Sequence, residues 1–278
     1  MQTPSTLLLL GASVMTSAFP LSLPLSLPLS LAPWNYTVKA AAAVDTVVTR
    51  PGRVPYGRII QACTEPGTVA LTFDDGPHRY TGHVLDVLSA HGAHATFFVN
   101  GDNWGRGLID DAATPWPATV RRMVAEGHQV GSHTWSHADL AGGDAASRAA
   151  EVDRLAAALD GILDGKHPRY LRPPYGSCGP DCLAEMADLG YHVVNWNVDT
   201  KDYLHKTPET IHESEETFAA AVAADGAGAY IVLSHDVHKT TAHVLTEFML
   251  ETLGERGYRA VTVGECLGDP EENWYASA

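Results

Sequence analysis

The sequence predicts an α/β fold with one folded domain, in which about seven parallel strands form a distorted or incomplete (β/α) barrel. From residue 67 onward, short β-rich runs alternate with segments of helical periodicity. The expected strands span residues 69–73, 95–99, 129–132, 170–172, 192–198, 230–234 and 259–263. Seven such units over roughly two hundred residues favour a parallel barrel over an open sheet.

Helical periodicity is clearest between the third and fourth of these runs. Apolar residues recur there at helical spacing before Gly165: Val152, Leu155, Ala156, Leu159, Ile162 and Leu163. Residues 207–209, Thr-Pro-Glu, have the pattern of an N-cap and first helical turn. A further apolar stripe over residues 244–249 predicts another helix.

The N-terminal region differs from the rest of the chain. Residues 1–18 contain a short apolar core followed by small residues, which is typical of a secretory signal peptide, and the alternative is a buried or disordered leader. Residues 19–53 form a low-complexity Pro/Leu leader, in which Asn35 lies in a glycosylation sequon. The folded domain is expected over 54–278, and the protein is expected to be secreted, extracellular and without a membrane anchor.

Charge and cysteine content limit the partners and the compartment. The net charge of −15 disfavours binding to nucleic acid or an anionic membrane surface. Four cysteines allow three disulfide pairings, and four free thiols are the alternative. We favour Cys63 with Cys266, which joins the two ends of the domain, and Cys178 with Cys182, which closes a tight loop.

Polar side chains occur where the predicted strands end. They are Asp74, Asp75, His133, Arg172, Asp199, His235 and Asp236. Catalytic residues of (β/α) barrels lie at this end of the strands. The sequence therefore predicts an active site there.

The adjacent carboxylates and the two histidines suggest a metal site with a base beside it. Asp74 and Asp75 repel each other, so a cation should neutralise them. His133 and His137, four residues apart, can reach one ion together with a carboxylate, and such a three-ligand set leaves a position for water. The other carboxylate could then take a proton from that water. Taken alone, the acidic pair is also typical of a turn, and the histidines of a surface or a core.

Five short motifs contain these polar residues. They are Thr72-Phe-Asp-Asp-Gly-Pro, His133-Thr-Trp-Ser-His, Arg172-Pro-Pro-Tyr-Gly, Asp199-Thr-Lys-Asp-Tyr and Leu233-Ser-His-Asp. In order and spacing they resemble the motifs of the polysaccharide deacetylases, carbohydrate esterase family 4. The resemblance covers residues 63–275, and residues 257–270 are similar to the end of fungal chitin deacetylases.

The resemblance implies that Asp75, His133 and His137 bind a divalent metal, most often zinc in this family. One carboxylate and two imidazoles suit Zn²⁺, although Co²⁺ or Fe²⁺ fits the same set. Asp74 matches the general base, and Arg172 matches the residue that tethers it.

The remaining motifs imply an acid and an acetyl pocket. His235 matches the general acid, and Asp199 the carboxylate paired with it. The backbone N–H of Tyr175 matches the oxyanion donor. Leu233 matches an apolar residue that receives the acetyl methyl group.

Aromatic residues are the candidates for contacts with sugar rings. Tyr203 stands where the family motif often has Trp, so an aromatic wall is retained. Of the tryptophans at 104, 116, 135 and 196, only Trp135 is expected to reach the cleft, and the others are expected in the core. Asp202 is expected to be a solvated or structural neighbour, and His238 a surface residue.

The resemblance implies a secreted, monomeric, metal-dependent hydrolase that removes N-acetyl groups from chitin or chito-oligosaccharides, giving glucosamine units and acetate. An acetylxylan esterase of the same family is the nearest alternative, because the motifs do not distinguish the two substrates. A non-catalytic carbohydrate-binding protein is the other alternative, although it would not need acid, base and ligands together.

Overall fold

The computed structural model describes residues 53–102 and 104–277. The predicted signal peptide, Asn35 and the predicted leader up to residue 52 lie outside the described residues. Among the described helices, none combines the length and the apolar character that crossing a membrane requires.

Eleven strands are found in the described part of the chain. They are β1 (Ile59–Ile60), β2 (Thr68–Asp74), β3 (Thr96–Val99), β4 (Gln129–Ser132), β5 (Lys166–Pro168), β6 (Tyr170–Leu171), β7 (His192–Val194), β8 (Val198–Asp199), β9 (Ala229–His235), β10 (Arg259–Val261) and β11 (Tyr275–Ser277). Nine of them form one parallel sheet in the order β1-β7-β6-β4-β3-β2-β9-β8, with β10 also paired to β2. Strands β5 and β11 form a separate antiparallel pair.

The parallel sheet is curled into an incomplete barrel, as predicted. The strand predicted over 192–198 is wrong in one respect, because it is two strands that pair at opposite ends of the sheet. Residues 195–197 alone connect β7 to β8, and the four steps from Val194 to Val198 span at most about 14 Å. The two ends of the sheet therefore lie close together, which curls it.

Seven α-helices are found in the described residues. They are α1 (Thr81–Ala90), α2 (Trp116–Ala125), α3 (Ala145–Ile162), α4 (Pro180–Asp188), α5 (Ile211–Ala221), α6 (Thr246–Glu255) and α7 (Val263–Cys266). The helix predicted before Gly165 is α3, and the stripe at 244–249 runs from a π-helical turn into α6. The N-cap predicted at Thr207 is wrong, since its carbonyl closes a separate turn and α5 begins at Ile211.

Strand β2 divides the core into two layers. Its side chains alternate: Val69, Leu71 and Phe73 pack in the cluster that includes the helices, whereas Ala70 packs in a second cluster inside the barrel. The same alternation directs Asp74 to the barrel interior. All seven residues of β2 are buried, as expected for a central parallel strand covered on both faces.

Both favoured disulfides are present. Cys63 and Cys266 are joined across 203 residues of chain. Cys178 and Cys182 are joined across a separation of four residues. The described cysteines therefore include no free thiol, which fits an oxidising compartment.

Candidate active site

The acidic pair lies where β2 ends. Asp74 is the last residue of the strand and is buried, with 2% of its surface exposed. Asp75 follows with a φ of 75°, in the left-handed region that Asp tolerates better than most residues. This reversal gives the two adjacent carboxylates different surroundings.

Asp75 lies beside both motif histidines. Its Oδ1 atom is 3.6 Å from His133 Nε2 and 3.3 Å from His137 Nε2. Ligand atoms bound tetrahedrally to one zinc ion at about 2.0–2.1 Å would be about 3.3 Å apart. One ligand atom from each of the three residues lies within 4.8 Å of the others, so this set fits a single divalent ion.

The surroundings of His133 favour a neutral imidazole in one tautomer. Its Nδ1 atom is 2.7 Å from the carbonyl oxygen of Arg172, to which it can donate, so the lone pair is left on Nε2. Burial is the main reason that the pKa of His133 is lowered, to about 3. A neutral imidazole with one nitrogen fixed by a carbonyl is the form that binds metal.

Asp74 is held by the buried side chain of Arg172. The Arg172 guanidinium donates to Asp74 Oδ1 at 2.8 Å and to the hydroxyl of Thr72 at 2.5 Å. It also donates to the carbonyls of Val194 and Asn195 at 3.2 and 3.0 Å, and so connects β2 to β7 across the barrel interior. Burial raises the pKa of Asp74, and the charge of Arg172 opposes that rise.

The Arg172 side chain is fixed by burial and by contacts on several sides. It is fully buried, and its guanidinium carbon lies 4.3 Å from the ring centre of Phe98. A guanidinium presents several donors in a rigid plane, which suits contacts to a carboxylate and to carbonyls at once. The candidate base therefore has a fixed orientation.

His235 is paired with Asp202, and the predicted pairing with Asp199 is wrong. His235 Nδ1 lies 2.7 Å from Asp202 Oδ1, and the His235 backbone N–H donates to Asp202 Oδ2 at 2.7 Å. The Thr241 hydroxyl donates to the same Oδ2 atom at 2.7 Å. Asp202 is fully buried, so of the two expected alternatives, a solvated residue and a structural neighbour, the structure shows the second.

The Asp202 carboxylate determines the charge of His235. Burial alone would lower the pKa of His235, but Asp202 and, to a smaller extent, Asp74 and Asp75 raise it to about 9. Burial alone would raise the pKa of Asp202, and His235 keeps it below its usual value. The pair is therefore an imidazolium and a carboxylate at neutral pH.

Asp199 has a different position, which explains the wrong assignment. Its carboxylate accepts from the backbone N–H of Lys201 at 2.9 Å and from the Tyr203 hydroxyl at 3.0 Å. Lys201 has a φ of 56°, so the chain reverses there and brings Asp202, three residues after Asp199, to His235. Asp199 shapes this turn and orients the Tyr203 ring.

The turn that carries Tyr175 begins where β6 ends. Its hydrogen bonds run from Gly176 N–H to Pro173 and from Ser177 N–H to Pro174, so neither uses the Tyr175 N–H. Tyr175 has a φ of 61°, and its ring is 4.8 Å from that of His137. The backbone of the candidate oxyanion donor is thus fixed next to the candidate metal ligands.

These groups line a cleft of about 460 Å³ at the carboxyl end of the strands. The cleft contains Asp74, Asp75, His133, His137, Pro173, Leu233 and His235, together with Trp104, Tyr175, Trp196, Tyr203, Lys206 and His238. Leu233 and Tyr203, the residues predicted to contact the acetyl group and the sugar, are among those that line it. His238, expected at the surface, is buried within the cleft wall.

Trp135 does not line this cleft, and its predicted contact with sugar is wrong. Its exposed fraction is 5%, and a Cβ atom on Gly101 would approach its ring to 2.0 Å. Arg154 covers the ring at 3.9 Å. Trp135 therefore anchors the His133–His137 loop in the core, and the tryptophans in the cleft are Trp104 and Trp196.

Asn100 is a site residue that the sequence prediction missed. It follows β3, is fully buried and contacts both the segment after Asp75 and the segment that begins with His133. Its backbone N–H donates to the Gly76 carbonyl at 3.0 Å, and its side-chain amide donates to the carbonyls of His133 and Thr134. A polar residue directly after a predicted strand was the signal that could have identified it.

Unusual backbone angles are concentrated around the cleft. Among the described residues other than glycine, seven have a positive φ: Asp75, Trp104, Thr134, His137, Asp164, Tyr175 and Lys201. Five of them, Asp75, Thr134, His137, Tyr175 and Lys201, belong to the loops just described, and Trp104 lines the cleft. Such conformations persist where surrounding contacts enforce them, and they are enriched at active sites.

Comparisons with known proteins agree with this geometry. A family model described as Polysaccharide deacetylase matches residues 61–194. A chitin deacetylase from Colletotrichum lindemuthianum is 50% identical over 224 residues, which cover 80% of this chain and 88% of that protein. A chitin deacetylase from Pestalotiopsis sp is 48% identical, and the match covers 85% of this chain and 76% of that protein.

The fold is also that of a solved structure. The structure of the chitin deacetylase from the fungal pathogen C. lindemuthianum matches with a TM-score of 0.77 at 50% identity, over 81% of this chain and 98% of that one. The predicted fold class is therefore confirmed.

Proposed function

The chain belongs to the polysaccharide deacetylase family, as its five motifs predicted, and on that basis we propose that it hydrolyses the N-acetyl groups of chitin or chito-oligosaccharides. The products are glucosamine units and acetate. The observation that carries this proposal is the arrangement of Asp74, His235 and the Asp75-His133-His137 set around one cleft. The substrate is inferred from relatives, about 50% identical, that are named chitin deacetylases.

Asp75, His133 and His137 would hold a divalent metal, for which we propose zinc. One carboxylate and two neutral imidazoles are ligands that zinc accepts. When bound, the ion would polarise the acetyl carbonyl and make a water molecule more acidic. The carbonyl of Arg172 keeps His133 in the tautomer that leaves Nε2 for the ion.

Asp74 acts as the general base in this proposal. It takes a proton from the water whose oxygen attacks the acetyl carbon, and a C–O bond forms as the carbonyl π bond opens. Arg172 keeps the carboxylate in place while its charge changes. Since burial raises the pKa of Asp74, the carboxylate is a better proton acceptor than an exposed one.

His235 acts as the general acid. It donates a proton to the amide nitrogen as the C–N bond breaks, so the sugar leaves as a neutral amine and acetic acid remains. With Nδ1 held by Asp202, the Nε2 atom is the one that donates. Its pKa of about 9 keeps the acid protonated at neutral pH.

The remaining groups bind the acetyl group and the sugar chain. The Tyr175 N–H donates to the oxyanion of the tetrahedral intermediate, a contact whose loss typically costs about 10²–10³ in rate. Leu233 provides an apolar wall for the acetyl methyl group. The faces of Trp104, Trp196 and Tyr203 suit pyranose rings, which stack on aromatic side chains.

We also propose that the enzyme is secreted and that residues 54–278 form its catalytic domain. The two disulfides support an oxidising compartment. Residues 1–18 would be the signal peptide, residues 19–53 a leader, and Asn35 a glycosylation site.

The test is acetate release from chitopentaose by the purified protein, before chelation, after chelation and after zinc is restored, with acetylxylan in parallel. We expect release from chitopentaose that is lost with the chelator and recovered with zinc. Release from acetylxylan alone would identify an esterase instead. No release from either, with zinc bound, would contradict catalysis on these polymers and favour the carbohydrate-binding alternative.

A further inference from the structure

The loop that follows β3 contacts the Asp75 side chain and the backbone of the two residues that follow Asp75. Its described residues are Gly101, Asp102 and residues 104–114, and it lies between β3 and α2. Two backbone hydrogen bonds fix its first part, because Ile109 N–H donates to the Gly101 carbonyl at 2.8 Å and Asp102 N–H donates to the Trp135 carbonyl at 2.7 Å. The loop is therefore tied to the segment between His133 and His137.

Trp104 contacts the candidate metal ligand Asp75 directly. Its indole Nε1–H donates to Asp75 Oδ2 at 3.3 Å, whereas Oδ1 is the atom that lies close to both histidines. An indole N–H can only donate, so Oδ2 is the acceptor and the contact fixes the rotation of the Asp75 carboxylate. Trp104 is 55% exposed and lies at the cleft wall, so burial in the core does not explain its position.

Arg106 holds the backbone of the same turn. It donates to the carbonyls of Pro77 and Gly76 at 2.5 and 2.9 Å, and to that of Asn100 at 2.9 Å. These carbonyls belong to the segments that follow β2 and β3. One guanidinium therefore connects the turn that carries Asp75 to the strand end that contacts His133.

We propose that Trp104 and Arg106 are positioning residues for the metal site, Trp104 through the outer oxygen of Asp75 and Arg106 through the backbone that carries it. The inference rests on the metal site of the proposed function. Outer partners of metal ligands orient them, and their loss typically weakens metal affinity about 10–100-fold. The Trp104 hydrogen bond is long, so its effect should be near the lower limit.

The test compares zinc dissociation constants, measured by competition with a chromophoric chelator, and the Tm of each metal-free protein. Trp104→Phe keeps the ring and removes the N–H, so we expect about tenfold weaker zinc binding with the metal-free Tm unchanged. Trp196→Phe is the matched control, because Trp196 lines the same cleft and no hydrogen bond joins it to Asp75 among the described contacts. Its zinc dissociation constant should equal that of the unmodified protein.

Arg106→Lys keeps the charge but cannot donate to three carbonyls in one plane, so zinc binding should again weaken, several-fold. Arg106→Gln removes the charge as well and should also weaken zinc binding. If Arg106→Gln lowers the Tm of the metal-free protein, the role of Arg106 is judged from Arg106→Lys.

An unchanged zinc dissociation constant in Trp104→Phe or Arg106→Lys would overturn the role of that residue. A loss of affinity that parallels a loss of metal-free Tm would show a folding role and also overturn it. Absence of zinc binding by the unmodified protein would overturn the proposed function together with this inference.

Discussion

His235 and Asp202 are joined by two hydrogen bonds, one from the ring and one from the backbone. Nδ1 of His235 lies 2.7 Å from Oδ1 of Asp202, and the His235 N–H donates to Oδ2 over the same distance. The carboxylate thus fixes both the rotation and the charge of the imidazole. Asp199, in the same motif, shapes the turn instead.

The first prediction follows from this pair and concerns Asp202→Asn. His235 must be protonated to act as an acid, so activity should fall as pH rises through its pKa of about 9. Without the Asp202 charge, burial lowers the pKa of His235, and the alkaline limb of kcat/KM should move to lower pH. Asp199→Asn is the control and should leave this limb in place. A limb that moves in Asp199→Asn and not in Asp202→Asn would restore the pairing first predicted from the sequence.

The second prediction concerns His235 itself. His235→Ala should lower turnover on an N-acetyl amide by about 10²–10⁴, the usual contribution of a general acid. An activated acetyl ester has a leaving group that needs little protonation, so its turnover should fall less. The comparison requires kcat on both substrates with each protein. Equal losses on amide and ester would argue against a general-acid role.

The third prediction separates the two carboxylates at the end of β2. Asp74→Asn should abolish turnover while zinc remains bound, because Arg172 holds Asp74 and the histidines lie closest to Asp75. Asp75→Asn should instead weaken zinc binding. Both acetate release and bound zinc per protein are to be measured in each variant. Loss of zinc in Asp74→Asn, with zinc retained in Asp75→Asn, would mean that the two roles are exchanged.

The fourth prediction concerns the buried ion pair of Arg172 and Asp74. Arg172→Met leaves a buried carboxylate without its counter-charge, and breaking such a pair typically costs about 3–5 kcal/mol. The free energy of unfolding in urea should fall by that amount. Adding Asp74→Asn removes the uncompensated charge, so the double variant should be more stable than Arg172→Met alone. If Arg172→Met keeps the stability of the unmodified protein, the pair does not anchor the barrel interior.

The sequence predicted the positions of the polar residues better than their partners. Residues such as Asp74, His133 and Arg172 could be placed at strand ends because short apolar runs mark where strands stop. Choosing between Asp199 and Asp202 requires the backbone angle at Lys201, which no residue preference specifies. The sequence pattern alone therefore could not identify Asp202 as the partner of His235.

The sequence also did not predict which way the side chains in the loops point. Trp135 and Trp104 are both aromatic residues in loops near the metal motifs. The first enters the core because Gly101 leaves room for its ring, and the second lines the cleft. Likewise, residues 192–198 have the sequence pattern of one strand. In the structure they form two, β7 and β8, because the chain crosses there between the two ends of the curled sheet. These outcomes depend on contacts between distant segments.

The fifth prediction concerns the two disulfides, which lie in different parts of the fold. Chain entropy assigns about 5 kcal/mol to a bridge across some 200 residues and about 2 kcal/mol to one that closes five. Cys63→Ser with Cys266→Ser should therefore lower Tm more than Cys178→Ser with Cys182→Ser. Cys182 is buried in α4, and Cys178 lies three residues after Tyr175, so the short bridge fastens the turn that carries Tyr175 to the core.

The short-bridge variant should accordingly lose turnover with little loss of Tm, whereas the long-bridge variant should keep turnover per folded molecule. Thermal unfolding and kcat, measured at a temperature well below both transitions, distinguish the two effects. If kcat in the short-bridge variant is unchanged, the Tyr175 turn is held by its own hydrogen bonds and prolines. If kcat falls only in proportion to the fraction unfolded, the bridge contributes to stability alone.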